Sequence, residues 1–256
     1  MAILNSRPQK SSRQHAALSP RNPSWRSRLL TPPHAAVWRI GYQPDPLAWA
    51  DWSYSTNGRF QGRWDDPDGR FRTLYFGNAV LSCLVEVLAH ARREKYVAEA
   101  LEAIVEDPLD AEHYPTIAPG KVDRAWLRPR CAAEAILTGR HCDVTDTETI
   151  AALHPHFIRK TLEDGHYDFD AALLKNGEAR SMTQAVAAYL FLQDDVDGVR
   201  FTSRHGEDME LWSVFEQAET DAPTSPYVLR LGVSALTEDM PEIGAAFEIL
   251  GLEWND

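Results

Sequence analysis

The chain has 256 residues, of which 38 are acidic and 26 basic, for a net charge of -12, and 44% are hydrophobic. That balance opposes general attraction to nucleic-acid phosphates and excludes direct nucleic-acid binding, and no apolar run reaches the roughly 20 residues of a membrane span, which excludes a membrane protein. Cys83, Cys131 and Cys142 are odd in number and show no CxxC spacing. A disulfide framework and a zinc knuckle are therefore excluded, and the reducing cytoplasm is the expected compartment.

Residues 1–36 read as a disordered basic arm. Six Lys or Arg and no acid precede Thr31, so the remainder holds 20 basic and 38 acidic residues, a charge of -18. An anionic ligand would need a local cluster of Arg in that remainder. Thr31-Pro32-Pro33 favours an extended linker, and residues 37–256 are expected to form one domain.

Val37 to Tyr42 reads as a strand, followed by a Pro-, Asp- and Gly-rich region up to Arg72 and a second short strand at Leu74-Tyr75-Phe76. Leu81, Leu84, Val85, Leu88 and Ala91 share one helical face. That helix is expected to run on through Val97 and Ile104 until Pro108. After an irregular stretch, His141 to Val144 forms a strand, then Thr145 or Asp146 caps a helix through Leu153, Phe157 and Leu162. Ser181 with Gln184 reads as a capping box for a helix to about Gln193. Val199 to Ser203 is a strand, Met209 to Gln217 stays open between strand and short helix, Pro226 to Ser234 is a strand, and Ile243, Phe247 and Leu250 mark a last helix. Strands and helices alternate without a regular βαβ repeat, which predicts an α+β domain.

The usual nucleotide and hydrolase signatures, GxGxxG, GxxxxGK[ST] and GxSxG, are missing. His154-Pro155-His156 and His141-Cys142 lack a second pair at metal-finger spacing, so no metal is expected. A sparse set stands out at the predicted strand ends. It comprises Arg39 in Trp38-Arg39-Ile40, Arg59 in Gly58-Arg59-Phe60, Tyr75 in Leu74-Tyr75-Phe76-Gly77, Glu86 in Cys83-Leu84-Val85-Glu86-Val87, and Ser203 in Gly198-Val199-Arg200-Phe201-Thr202-Ser203-Arg204. Together with Ser181-Met182-Thr183-Gln184, these fragments resemble the RES family, named for its Arg, Glu and Ser, over residues 37–215.

The resemblance implies an ADP-ribosyltransferase-like α+β fold, a mixed or antiparallel sheet core with surrounding helices. It also implies a toxin that degrades NAD⁺ by cleaving the nicotinamide–ribose bond, as a phosphorylase or a glycohydrolase, with protein ADP-ribosylation or a non-catalytic binding module as alternatives. NAD⁺ is then the substrate and inorganic phosphate or water the acceptor. The expected partner is a cognate antitoxin of helix-turn-helix type, and a homo-oligomer stays open. Arg39, Glu86 and Ser203 are the catalytic candidates; Arg39, Arg59, Tyr75, Glu86 and Ser203 are the NAD⁺-binding candidates. The chemistry suits these residue types. Guanidinium groups bind phosphate oxygens through paired charge-assisted hydrogen bonds, and a carboxylate stabilises positive charge developing on ribose. Each also has a plainer reading: ion-paired arginines, a solvated helix charge at Glu86, a core ring at Tyr75, and a turn-satisfying hydroxyl at Ser203.

Overall fold

The computed structural model describes residues 29–30, 35–92, 119–217 and 222–255. Ten strands and five helices appear in chain order among them: β1 (Leu29–Leu30), β2 (Val37–Tyr42), β3 (Thr73–Gly77), α1 (Val80–Leu88), β4 (Lys121–Asp123), β5 (Arg130–Leu137), β6 (His141–Asp143), α2 (Thr147–Glu163), α3 (Ala171–Lys175), α4 (Arg180–Phe191), β7 (Gly198–Ser203), β8 (Gly206–Phe215), β9 (Val228–Ala235), α5 (Pro241–Leu250) and β10 (Glu253–Asn255). Eight strands form one sheet in the order β1-β6-β7-β8-β3-β2-β5-β9, while β10 and β4 pair separately. The β6–β7 pair is parallel and its neighbours are antiparallel, so the sheet is mixed and the class is α+β.

Alternation along the strands divides the core. Val199, Phe201, Leu211 and Phe215 face α2, α3 and α4, packing with Phe157, Leu174, Val186 and Leu190. Ile40 and Ala132 pack against α1 and α5 through Leu84, Leu88, Ile243 and Phe247. The intervening residues Val37, Leu74, Phe76, Ala133, Trp212 and Val214 meet Leu47 and Trp49 on the other face. Two helical layers therefore share one face of the sheet.

The sheet has a seam. β2 and β3 pair at a single register position, Trp38 with Gly77, whereas β2 pairs with β5 at six positions and β3 with β8 at five. β7 also extends beyond β6. The pairing stops at Asp143 with Arg200, leaving Phe201 to Ser203 without a β6 partner. At the far side, β9 is the outermost strand and exposes Leu229, Leu231 and Val233.

Several local expectations meet the structure differently. Asp146 does cap α2, accepting the Thr149 N–H at 2.9 Å, but Ser181 lies inside the first turn of α4 and hydrogen-bonds Asp164 at 2.9 Å. Ala179 holds the cap position, and the Gln184 amide donates instead to the Gly62 carbonyl at 3.0 Å. α1 ends at Leu88 and passes into a 3-10 turn, Ala89–Ala91; its expected continuation past residue 92 lies outside the described residues. The stretch read as irregular before His141 contains β5, an eight-residue strand inside the sheet. Met209 to Phe215 is strand, and Leu29–Leu30, inside the stretch read as an arm, pair with β6.

Candidate active site

Glu86 lies in the last turn of α1, whose Leu84, Val85 and Leu88 anchor the helix in the core. That anchoring leaves Glu86 partly buried at the helix border. Ser203 ends β7 and is only 2% exposed. The register slips between Thr202 and Ser203, and such a bulge re-aims the side chain that follows it. The Ser203 hydroxyl donates to Glu86 Oε1 at 2.5 Å and accepts the His205 backbone N–H at 2.9 Å. Two residues 117 positions apart thus form a short, charge-assisted contact.

Tyr75 lies on β3 with its ring packed against the α2–α4 layer. Its hydroxyl accepts the Trp64 N–H at 2.9 Å and donates to Asp65 Oδ1 at 2.9 Å. Asp65 in turn accepts the Gly62 N–H at 2.5 Å. This network ties the turn of residues 62–65 to β3, and Gly62 is required there because a Cβ would lie 2.5 Å from the tyrosine oxygen. Burial raises the Asp65 pKa against the pull of the Tyr75 and Gly62 hydrogen bonds, and burial beside Asp65 pushes the Tyr75 hydroxyl well above its usual value. The hydroxyl expected to reach a phosphate is therefore occupied in holding this turn.

Arg39 sits at the seam. Its Nε donates to the Pro46 carbonyl at 2.9 Å and its Nη1 to the Tyr75 carbonyl at 3.1 Å, joining β2 to β3 where their ladder is missing. Burial lowers its pKa, opposed by the nearby Cys83, Tyr75 and Asp65. No hydrogen bond or ion pair joins it to Glu86 or Ser203. Arg59 is exposed. It closes a tight turn in which Thr56 and Arg59 exchange backbone hydrogen bonds of 2.9 and 3.1 Å, with Asn57 and Gly58 at φ 53° and 74°. Asn-Gly is the preferred pair for such a two-residue turn. The glycine of Gly58-Arg59-Phe60 thus answers to turn geometry.

The residue that sequence reasoning missed is Arg63. It belongs to a second Gly-Arg-aromatic tripeptide, Gly62-Arg63-Trp64, four positions after the first, and that repetition was the available signal. One nitrogen, Nη2, donates to the Leu174 carbonyl, and the guanidinium lies 5.5 Å from the Phe201 ring centre. The other two, Nε and Nη1, are buried without a hydrogen-bond partner. Burial lowers the Arg63 pKa; Glu86 and Tyr75 oppose this, while Arg204 and Arg180 add to it. His205 is held below its usual pKa mainly by burial, with Arg204, Arg92 and Arg63 pushing the same way against Glu86. The charges of Arg180 and Arg204 thus act on Arg63, and that of Glu86 acts on both Arg63 and His205.

The sequence profile of the RES domain matches residues 36–232. The chain belongs to the RES-domain family. Its match extends beyond the residues 37–215 on which the motif resemblance was read. A search of curated sequences gave no match. Among solved structures, this RES-domain chain is similar to one in the crystal structure of the M. tuberculosis MbcT–MbcA toxin–antitoxin complex, at 18% identity over 88% of this chain and 93% of that one, with a TM-score of 0.47. Of the three residues taken from the motifs for the Arg, Glu and Ser of the family name, the structure brings Glu86 and Ser203 into hydrogen-bond contact and places Arg39 at the β2–β3 seam.

Proposed function

We propose that this RES-domain protein cleaves the nicotinamide–ribose bond of NAD⁺, with inorganic phosphate or water as acceptor. The observation that carries the reading is the 2.5 Å Glu86–Ser203 contact, together with Arg63, a buried cation with two uncommitted nitrogens. Departure of nicotinamide leaves positive charge on the ribose, and a fixed carboxylate facing that carbon is worth more in a partly desolvated cleft than in water. Glu86 supplies that charge and a hydrogen-bond acceptor for ribose hydroxyls. Ser203 fixes one carboxylate oxygen, leaving the other for substrate. Arg63, with Arg180 and Arg204 nearby, receives the pyrophosphate. Arg39 holds β2 to β3 beneath the cleft, and the Tyr75 ring forms part of its wall.

Purified protein incubated with NAD⁺, with and without phosphate, and analysed by mass spectrometry tests the reading. A phosphorylated ADP-ribose identifies a phosphorylase and free ADP-ribose a glycohydrolase. Mass added to a protein identifies a transferase, and intact NAD⁺ overturns the proposal. The family resemblance further implies a toxin whose cognate antitoxin, of helix-turn-helix type, covers the cleft. Rescue of growth by co-expression of the neighbouring open reading frame tests that part.

A further inference from the structure

Arg124, Arg128 and Arg130 fall within seven positions of an acidic chain, where a 3-10 turn, Arg124–Trp126, leads from β4 into β5. Arg130 opens β5 and pairs in register with Tyr42 at the end of β2. Its Nη1 donates to the Trp126 carbonyl and its Nη2 to the Tyr42 hydroxyl, both at 2.7 Å. The guanidinium carbon lies 4.4 Å from the Trp126 ring centre and 4.6 Å from that of Tyr42. Two hydrogen bonds and two rings thus hold the head group in place, and it keeps N–H donors beyond those two bonds. Burial lowers the Arg130 pKa, and Tyr42 opposes it. No carboxylate pairs with Arg130 among the described residues.

Two positions earlier, Arg128 is exposed, and among the described residues nothing bonds its guanidinium; the Gln43 amide donates to its carbonyl at 3.2 Å. Elsewhere the excess of acid is used: Arg70, Arg72, Arg140, Arg200 and Arg230 each pair with a carboxylate, and Arg124 itself is held by Glu238 at 3.0 Å. Two neighbouring cations are therefore left unmatched beside the Tyr42 ring, which is 61% exposed. Arg, Tyr and Trp are the side chains that dominate the centres of protein interfaces, and a guanidinium fixed in advance loses little freedom when a carboxylate meets its planar fork. Nucleic acid fits less well, because a net charge of -12 repels a dense phosphate array and two arginines neutralise little of it. We propose that this surface binds an acidic segment of a partner polypeptide, with carboxylates on Arg128 and Arg130 and an apolar side chain on the Tyr42 ring. None of its residues belongs to the NAD⁺ site proposed above.

Biolayer interferometry of the full chain tests the proposal with three immobilised probes: a short peptide of glutamate and leucine in a Gly-Ser background, its counterpart with lysine for glutamate, and a short oligothymidylate. The parent protein should bind the glutamate peptide in preference to the other two, and more weakly as salt is raised. Arg128→Ala and Arg130→Ala should each weaken that binding about tenfold. Arg128→Lys should retain most of it, whereas Arg130→Lys, which keeps the charge but loses the planar fork, should not. Arg128 is exposed and its side chain has no partner among the described residues, so its variants serve if those of Arg130 disturb folding. Absence of binding by the parent protein, equal binding of the lysine peptide or the oligothymidylate, or unaltered binding by Arg128→Ala would each overturn the assignment. Cleavage of NAD⁺ is read separately, so either proposal can fail while the other stands.

Discussion

Arg39 and Arg63 are both drawn below the usual guanidinium pKa by burial, yet they do different work. At the seam, Arg39 gives Nε and Nη1 to two main-chain carbonyls and replaces part of a missing strand ladder. In the turn of residues 62–65, Arg63 gives one nitrogen to the Leu174 carbonyl and keeps two buried and unpartnered. A buried charge is costly unless its hydrogen bonds are satisfied. Burial therefore does not separate the two arginines; their hydrogen-bond commitments do.

The largest expected effect tests Glu86, the carboxylate whose charge acts on Arg63. Glu86→Gln should lower kcat for NAD⁺ cleavage about 10³-fold, the scale of removing one preorganised electrostatic group, with the urea unfolding midpoint nearly unaltered. A variant retaining most of its turnover would remove the site from this cleft. Next come the arginines themselves. Arg63→Ala should reduce kcat/KM about 100-fold while leaving stability equal or slightly higher, because an unsatisfied buried cation disappears. Arg39→Ala should instead cost about 2–3 kcal/mol in urea unfolding, since two carbonyls at the seam lose their donors. The reverse pattern, an unstable Arg63 variant and a stable Arg39 variant, would break the distinction.

How far this was legible depends on the signal each element carries. β2, β3 and β7 are rich in aromatic and β-branched residues and were read close to their observed bounds. β5, Arg130–Leu137, was missed because Ala132, Ala133 and Ala135 give no strand signal. All three are fully buried, and small side chains let β5 pair with β2 and β9 while apolar groups press on both faces. Glu86 and Ser203, singled out from their motifs, lie in hydrogen-bond contact, although no sequence signal marks the bulge that precedes Ser203. Arg63 was hidden behind a similar tripeptide whose Asn57-Gly58 pair already explained its glycine. Ser181 and Gln184 match a capping box in type and spacing, but the chain enters α4 two residues earlier and both side chains serve tertiary contacts.

His141 sharpens the rule from another direction. Both ring nitrogens are buried without partners, and burial alone takes its pKa from 6.5 to about 4. The folded state thus holds it neutral where the unfolded chain would protonate it, so stability should be present above about pH 6.5 and decline as pH falls toward 4, by a few kcal/mol in all. Urea midpoints at pH 7 and pH 5 should differ in the parent protein, and the difference should shrink in His141→Leu. Equal pH sensitivity in both would assign the loss elsewhere. The smallest effect belongs to Arg59, exposed on its turn. Arg59→Ala should alter kcat/KM by less than about twofold, within the range expected of an exposed site, and a larger loss would bring the turn into the cleft.

At the opposite border of the sheet, Leu229, Leu231 and Val233 of β9 form an oily selvage along a strand with no outer neighbour among the described residues. Such margins are templates for intermolecular strand addition, and natural proteins blunt them with charge, above all lysine. Arg230 is the only basic residue on this one, and it already leans onto Asp45. This strip lies at the border of the sheet away from β7, and a single Leu231→Lys exchange is the change expected to lower association at high concentration, as read by light scattering.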